Sequence, residues 1–264
     1  AHELKTKPTQ HSVMMLRQLG ISPDALVLRS DRPLNQSIKD KIALFCNVPK
    51  THVLQNLDVE VLYEAPLAME KEHLAEVACQ CLQLECPEPD LTEWRAMIDA
   101  WKHPEHEVTV ALVGKYTQLH DAYISVVEAL KHGGVANHAE VHIKWVDSET
   151  VTKENVGEIL GDVSGILVPG GFGSRGIDGK ILAIQYAREN NIPFLGLCLG
   201  MQLSIVEFAR DVVGYSDAHS AELDPSTVHP VIHLMPDQNG IEDIGGTLRL
   251  GSYPCVLNKE SKAY

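Results

Sequence analysis

The hydrophobic pattern changes character near residue 108. Before it, apolar positions come in short, separate groups. Val13, Leu16 and Leu19 recur at helical spacing, Ala25–Leu28 reads as a short strand, and Ile38, Ile42 and Phe45 mark a second helix face. Residues 84–107 carry Leu-Glu-Cys-Pro-Glu-Pro-Asp, an amphipathic piece from Trp94 to Trp101, and His-Pro-Glu-His-Glu; this reads as a linker with one short helix. From Val108 the pattern becomes regular. Val108–Val113 is an apolar run interrupted only by Thr109, and it reads as a buried strand. Tyr123, Val126, Val127 and Leu130 mark a helix that Gly133-Gly134 is expected to end. Val141, Ile143 and Trp145 alternate with polar residues in a strand with one wet face. Gly165–Val168 is a third strand, Ile181–Ala187 a helix and Pro193–Leu197 a fourth strand. Met201, Ile205 and Phe208 mark the face of the helix that follows. This alternation predicts an α/β domain with a mostly parallel sheet.

Composition narrows the class. Hydrophobic residues make 44% of the 264 and charged residues 22%, as in a folded globular chain, which leaves out disorder and fibrous repeats. Asp+Glu outnumber Lys+Arg by 36 to 22, a net charge of −14. Such a surface repels a polyphosphate backbone, so nucleic acid is not expected as a partner, whereas local cationic clusters still allow small anions. No apolar run approaches a membrane span, and no membrane partner is expected. The chain opens Ala1-His2-Glu3-Leu4 without an initiator Met, which suggests a fragment. Cys79, Cys81 and Cys86 cluster without a His/Cys pair at zinc spacing, so free thiols in a reducing cytoplasm are expected, and no metal within this chain.

The candidate chemistry lies in Pro193-Phe-Leu-Gly-Leu-Cys-Leu-Gly-Met-Gln-Leu-Ser204. Gly196-Leu197-Cys198-Leu199-Gly200 has the spacing of a nucleophile elbow, in which a strand turns sharply into a helix and flanking side chains would strike backbone. Such a turn exposes Cys198 and aims the Leu199 N–H, at a helix start that favours anions, toward it. The other reading is a buried structural cysteine at a strand end. The preceding strand ends Val168-Pro169-Gly170-Gly171-Phe172-Gly173. That is either a simple turn or a loop beside the elbow whose Gly171 N–H is a second oxyanion donor.

These two segments resemble the class I glutamine amidotransferases. Val113-Gly114-Lys115-Tyr116, Asp121-Ala122-Tyr123, Glu128–Gly134, Gly245–Gly251 and Lys5–Ser12 are similar to the CTP synthase branch of them, over nearly the whole chain. The resemblance implies a flavodoxin-like glutaminase domain at 108–264, incomplete at its C-terminus. A linker at 84–107 would join it to the C-terminal part of an α/β P-loop-type synthetase domain at 1–83. It implies Cys198 as nucleophile, Gly171 and Leu199 as the oxyanion hole, and Gly200, Met201 and Gln202 lining the glutamine pocket. Glu222 would hold the substrate's α-ammonium; on the residues alone it could equally be a solvated loop acid. Lys5, Thr6, Lys7, Pro8, Thr9 and Gln10, with Lys41, would bind UTP and feedback CTP, although by composition they read as a solvated basic turn. Leu57, Asp58 and Val59 would contact ATP, and Arg175 and Arg249 fall in segments linked to GTP activation. Mg2+ would accompany ATP with its ligands outside this chain, and no organic cofactor is implied. The implied assembly is a homo-oligomer, a dimer of dimers.

The family's phosphate-binding Gly-rich loop is expected before residue 1 and its His/Glu pair after residue 264, so neither active site is complete as written. His103-Pro104-Glu105 spells His-x-Glu but precedes the first strand of the domain and is not taken as the base. His219, three residues from Glu222, reads as loop. Two alternatives remain: a different glutaminase-coupled ligase such as GMP synthase, and a non-catalytic nucleotide-binding or assembly module.

Overall fold

The structure is a computed structural model and describes residues 4–85, 87–234, 252, 254–261 and 264. The chain divides into two compact units, one of residues 1–106 with 133–140, the other of 107–132 with 141–264.

In the first unit α1 (Lys7–Gln18) starts with Pro8 in its first turn, where the missing N–H costs nothing. β1 (Leu26–Ser30) leads to α2 (Gln36–Cys46), whose N-cap Asn35 accepts the Ile38 N–H. β2 (Val53–Leu57) pairs in parallel with β1, and α3 (Ala65–Lys71), α4 (Leu74–Leu82) and α5 (Thr92–Lys102) follow. Val13, Leu28, Ile42, Ala43, Cys46, Val48 and Val53 form the core. Phe45, expected on the inner face of α2, is exposed; Cys46 and Ala43 take that place. The short helix expected within 84–107 is α5, and it is anchored. The Trp94 indole donates to Tyr63 O at 2.7 Å, Trp101 packs on Tyr63, and Lys102 pairs with Glu64 at 2.6 Å.

The second unit is built on β3 (His106–Gly114), β4 (Ala139–Asp147), β5 (Gly165–Val168) and β6 (Phe194–Gly196). Their order in the sheet is β4-β3-β5-β6, with β3, β5 and β6 mutually parallel. Between strands run α6 (Ile124–Ala136), α7 (Val156–Leu160), α8 (Ile177–Glu189) and, after β6, α9 (Leu199–Phe208). A two-residue strand β7 (His219–Ser220) pairs with β8 (Pro230–Ile232). Strand residues alternate between two cores. Ala111, Val113, Ile166 and Val168 face Ile181 and Ile184 of α8 and Leu203 and Val206 of α9. Leu112 and Leu167 face Tyr123 and the α6 residues Val126, Val127 and Leu130. A sheet covered on both faces needs continuous apolar strands, which is why the runs at 110–113 and 165–168 are unbroken, Thr109 lying toward the less buried start of β3.

Two sequence expectations are corrected here. α6 runs through Gly133-Gly134 and ends where His138 adopts φ 53°, with the Asn137 side chain donating to Gly133 O at 2.8 Å. On α9 the buried face is Leu199, Leu203 and Val206, while Met201, Ile205 and Phe208 are exposed. No helix among the described residues is long and apolar enough to cross a membrane.

Candidate active site

The elbow forms at the C-terminal end of the sheet. β6 aligns Gly196 with Val168 of β5, and the chain then turns within two residues into α9. Cys198 sits at the turn with φ 52° and ψ −107°, backbone that costs a non-glycine residue about 1–3 kcal/mol. Its side chain is exposed. The flanking glycines are required by space. A Cβ on Gly200 would stand 2.0 Å from Val168 O, and one on Gly196 would stand 2.5 Å from the Gly200 carbonyl carbon. The first helical bond of α9 runs from Gln202 N–H to Cys198 O at 3.1 Å, so the helix start lies directly at the thiol.

The loop after β5 lies against this turn. A Cβ on Gly170 would be 3.4 Å from the Cys198 Cβ and 4.0 Å from its Sγ. At Gly171 it would meet Leu199 Cδ2 at 3.8 Å, Lys115 Cε at 3.7 Å and Lys180 Nζ at 3.8 Å. The structure therefore brings together Cys198, Gly171, Leu199 and Gly200. Met201 is exposed one turn into α9 and Gln202 is half-buried beside it. Glu222 is exposed in the turn after β7, its N–H donating to Ser220 Oγ at 3.3 Å.

Three residues here have contacts to which the sequence assigned no role. Lys180 of α8 is wholly buried, and its Nζ has no hydrogen-bond partner among the described residues. Burial pushes the ammonium's pKa down, and nearby Lys115 adds to this. A lysine within a helix reads as exposed, so only the fold reveals it. Tyr123 OH accepts the Lys115 N–H at 3.2 Å, fixing the turn after β3. Phe172, 84% exposed, has its carbonyl bonded by Lys115 Nζ. Arg175 pairs with Glu149 at 3.2 Å, and its guanidinium lies 5.4 Å from the Tyr116 ring centroid.

Lys180 yields a stability prediction. Lys180→Met, which keeps the volume and removes the unpartnered charge, should stabilise the protein by about 1–3 kcal/mol at neutral pH. Between the lowered folded pKa and the unfolded value of about 10.4, the unfolded chain binds more protons, so wild-type stability rises with pH there. Melting curves should thus show the Met variant's advantage at neutral pH and a narrowing gap toward pH ~10. An unchanged or lowered melting temperature at neutral pH would refute it.

In the first unit Lys5, Thr6, Lys7 and Lys41 line one cavity of about 720 Å³ with Arg32, Asn35 and Ser37. Pro8 and Thr9 face a different cavity, beside Leu26–Arg29, and Gln10 donates to Thr6 Oγ1 at 3.1 Å. Arg32 and Ser37 are additions, because residues some thirty positions apart share a wall only through topology. Leu57, Asp58 and Val59 sit at the C-terminal end of β2, with Arg29 bonded to Leu57 O at 3.0 Å and paired with Asp58 at 2.6 Å. His103 closes α5, and its Nδ1 lies 3.0 Å from Asp99 of its own helix. Arg249 lies outside the described residues.

A strained cysteine elbow on a doubly covered parallel sheet, beside a glycine loop, is the arrangement expected of the class I glutamine amidotransferases. Residues 118–264 match the model described as "Glutamine amidotransferase class-I", and the chain belongs to that family. Residues 1–84 match "CTP synthase N-terminus". The relatives found are CTP synthases. That of Clostridium kluyveri is 58% identical over 99% of this chain and 49% of its own length; that of Bacillus pumilus is 53% identical over 100% and 49%. The chain spans about half the length of the curated relatives it matches. A solved structure described as "Trypanosoma brucei CTPS - glutaminase domain with bound acivicin" is 43% identical, covering 49% of this chain and 51% of that one, with a TM-score of 0.47.

Proposed function

We propose that this chain is part of a CTP synthase, an enzyme that aminates UTP at the expense of ATP with ammonia taken from glutamine. The observation that carries the reading is the exposed Cys198 at φ 52°, beside Gly170 of the loop after β5. In this reading the Cys198 thiolate attacks the glutamine amide carbon, and the amide oxygen becomes an oxyanion received by the Gly171 and Leu199 N–H groups. The C–N bond breaks, the nitrogen leaves as ammonia after protonation, and water hydrolyses the thioester to glutamate. The base is the His/Glu pair that the resemblance implies. Gly200, Met201 and Gln202 line the glutamine pocket, and Glu222 offers a carboxylate to the α-ammonium.

The ammonia is used in the synthetase half, where ATP phosphorylates the uracil O4 and ammonia displaces the phosphate. Lys5, Lys7, Lys41 and Arg32 suit the triphosphate of UTP or of inhibitory CTP: four cations with Thr6 and Ser37 hydroxyls around one cavity. Pro8, Thr9 and Gln10 act by shaping the first turn of α1. Leu57, Asp58 and Val59 receive ATP's adenine. Mg2+ neutralises the transferred phosphate when bound. Among the described residues lining the cationic cavity there is no carboxylate, so that cavity suits phosphate oxygens. Arg175 stands with Lys115, Tyr116 and the exposed Phe172, cations beside aromatic faces that suit a purine nucleotide such as GTP. A cytoplasmic homotetramer completes the reading.

Lys7→Ala in the full-length enzyme should raise the UTP requirement about tenfold or more and leave basal glutamine hydrolysis within twofold. Steady-state kinetics with each substrate varied checks this. Impaired hydrolysis with unchanged UTP dependence would contradict it.

A further inference from the structure

His219 has no part in the roles above, yet its contacts are specific. Its Nδ1 accepts the Ser220 N–H at 2.9 Å. A backbone N–H can only donate, so this ring nitrogen carries a lone pair, and the proton of the neutral imidazole is on Nε2. Ser220 is buried, and its Oγ in turn accepts the Glu222 N–H. Ser220 O accepts the Leu223 and Asp224 N–H groups at 3.1 and 2.9 Å. One imidazole lone pair therefore begins a chain of bonds that ends on the backbone of Glu222.

We infer that His219 is a positioning residue for glutamine recognition: its neutral ring fixes the Ser220–Glu222 turn that presents the Glu222 carboxylate, and protonating the ring releases that turn. The inference rests on the role given to Glu222 above. The charged groups facing the ring are Arg210, from the turn Ala209–Val213 after α9, Asp178 of α8, and Asp224 of the turn itself. Burial and then Arg210 press the ring's pKa below its ordinary value, against the opposing pull of Asp224 and Asp178. Arg210 also donates to Ala218 O at 2.6 Å, so this cation is fixed beside the ring. The neutral form therefore prevails at neutral pH. Acid removes the acceptor from a buried N–H, and the turn loosens as pH falls below the ordinary imidazole range of about 6.5.

The test is glutamine hydrolysis by the full-length enzyme between about pH 5.5 and 8, with wild type, His219→Leu, His219→Asn and Glu222→Gln. At the alkaline end His219→Leu should raise the glutamine KM about tenfold with kcat within about threefold. Asn offers an amide oxygen acceptor that does not titrate. It should restore KM and abolish the rise that wild type shows in acid. Ammonia-dependent CTP formation and the melting temperature report folding. If the Leu variant fails to fold, the comparison of wild type with Asn decides, and parallel pH profiles overturn the inference. A KM unmoved in folded His219→Leu overturns it too, provided Glu222→Gln raises KM. If Glu222→Gln leaves KM unchanged, the role of Glu222 itself is what fails.

Discussion

Cys198→Ala in the full-length enzyme is expected to abolish glutamine-dependent CTP formation, by ~10³-fold or more, and to leave ammonia-dependent formation within about twofold. The asymmetry follows from the architecture. The thiol is on the elbow of the 107–132 and 141–264 unit, whereas the cationic cavity is lined entirely by residues between Leu4 and Lys41. Under the proposed function, free ammonia would bypass the first site and still use the second. Alanine is also tolerated sterically, because the Cys198 Cβ already has room at φ 52° and only an exposed sulfur is removed. Paired assays with the two nitrogen sources measure the ratio. Equal loss with both would contradict the two-site account.

Gly200→Ala is the second large effect expected. The new Cβ would stand 2.0 Å from Val168 O, a backbone atom of a central strand that has no freedom to withdraw. Either α9 lifts from β5 or the β5–β6 pairing opens. Overpacking of this kind should cost about 3 kcal/mol, and a thiol displaced by about 1 Å should lose about a hundredfold in glutamine turnover. Gly133→Ala is the matched control, since among the described residues no atom beyond its chain neighbours and its own helix's backbone lies within 4 Å of its would-be Cβ. That variant should be neutral or stabilised by up to about 1 kcal/mol. Melting temperatures and glutaminase rates of both variants check the pair. A Gly200→Ala protein as stable and as active as Gly133→Ala would show that the elbow does not need the space.

The strands and the elbow were legible in the sequence because their signals are local. Apolar runs at 110–113 and 165–168 match strands covered on both faces, and in Gly196-x-Cys198-x-Gly200 the first glycine is required by the turn's own backbone, although the second is required by Val168 of β5. The face of α9 was not legible. The helix is apolar on nearly every side, so periodicity could not choose between Leu203 with Val206 and Ile205 with Phe208; contact of Gly200 with Val168 makes the choice. Gly133-Gly134 read as a stop because glycine commonly ends helices, but within a helix each costs only about 1 kcal/mol, which tertiary packing of Gly134 offsets. Lys180 and His219 were invisible for a shared reason. Their chemistry comes from burial against distant elements, and a side chain's own letter carries none of that.

The central claim is that Cys198 is a nucleophile in a formed glutamine site. Treating the full-length enzyme with a chloroketone analogue of glutamine and mapping the adduct by peptide mass spectrometry tests it directly. The account predicts one covalent adduct, on the peptide carrying Cys198, with labelling slowed by excess glutamine and absent in Cys198→Ala. Label spread over Cys79, Cys81 and Cys255, or on Cys198 at a rate that glutamine does not slow, would contradict it.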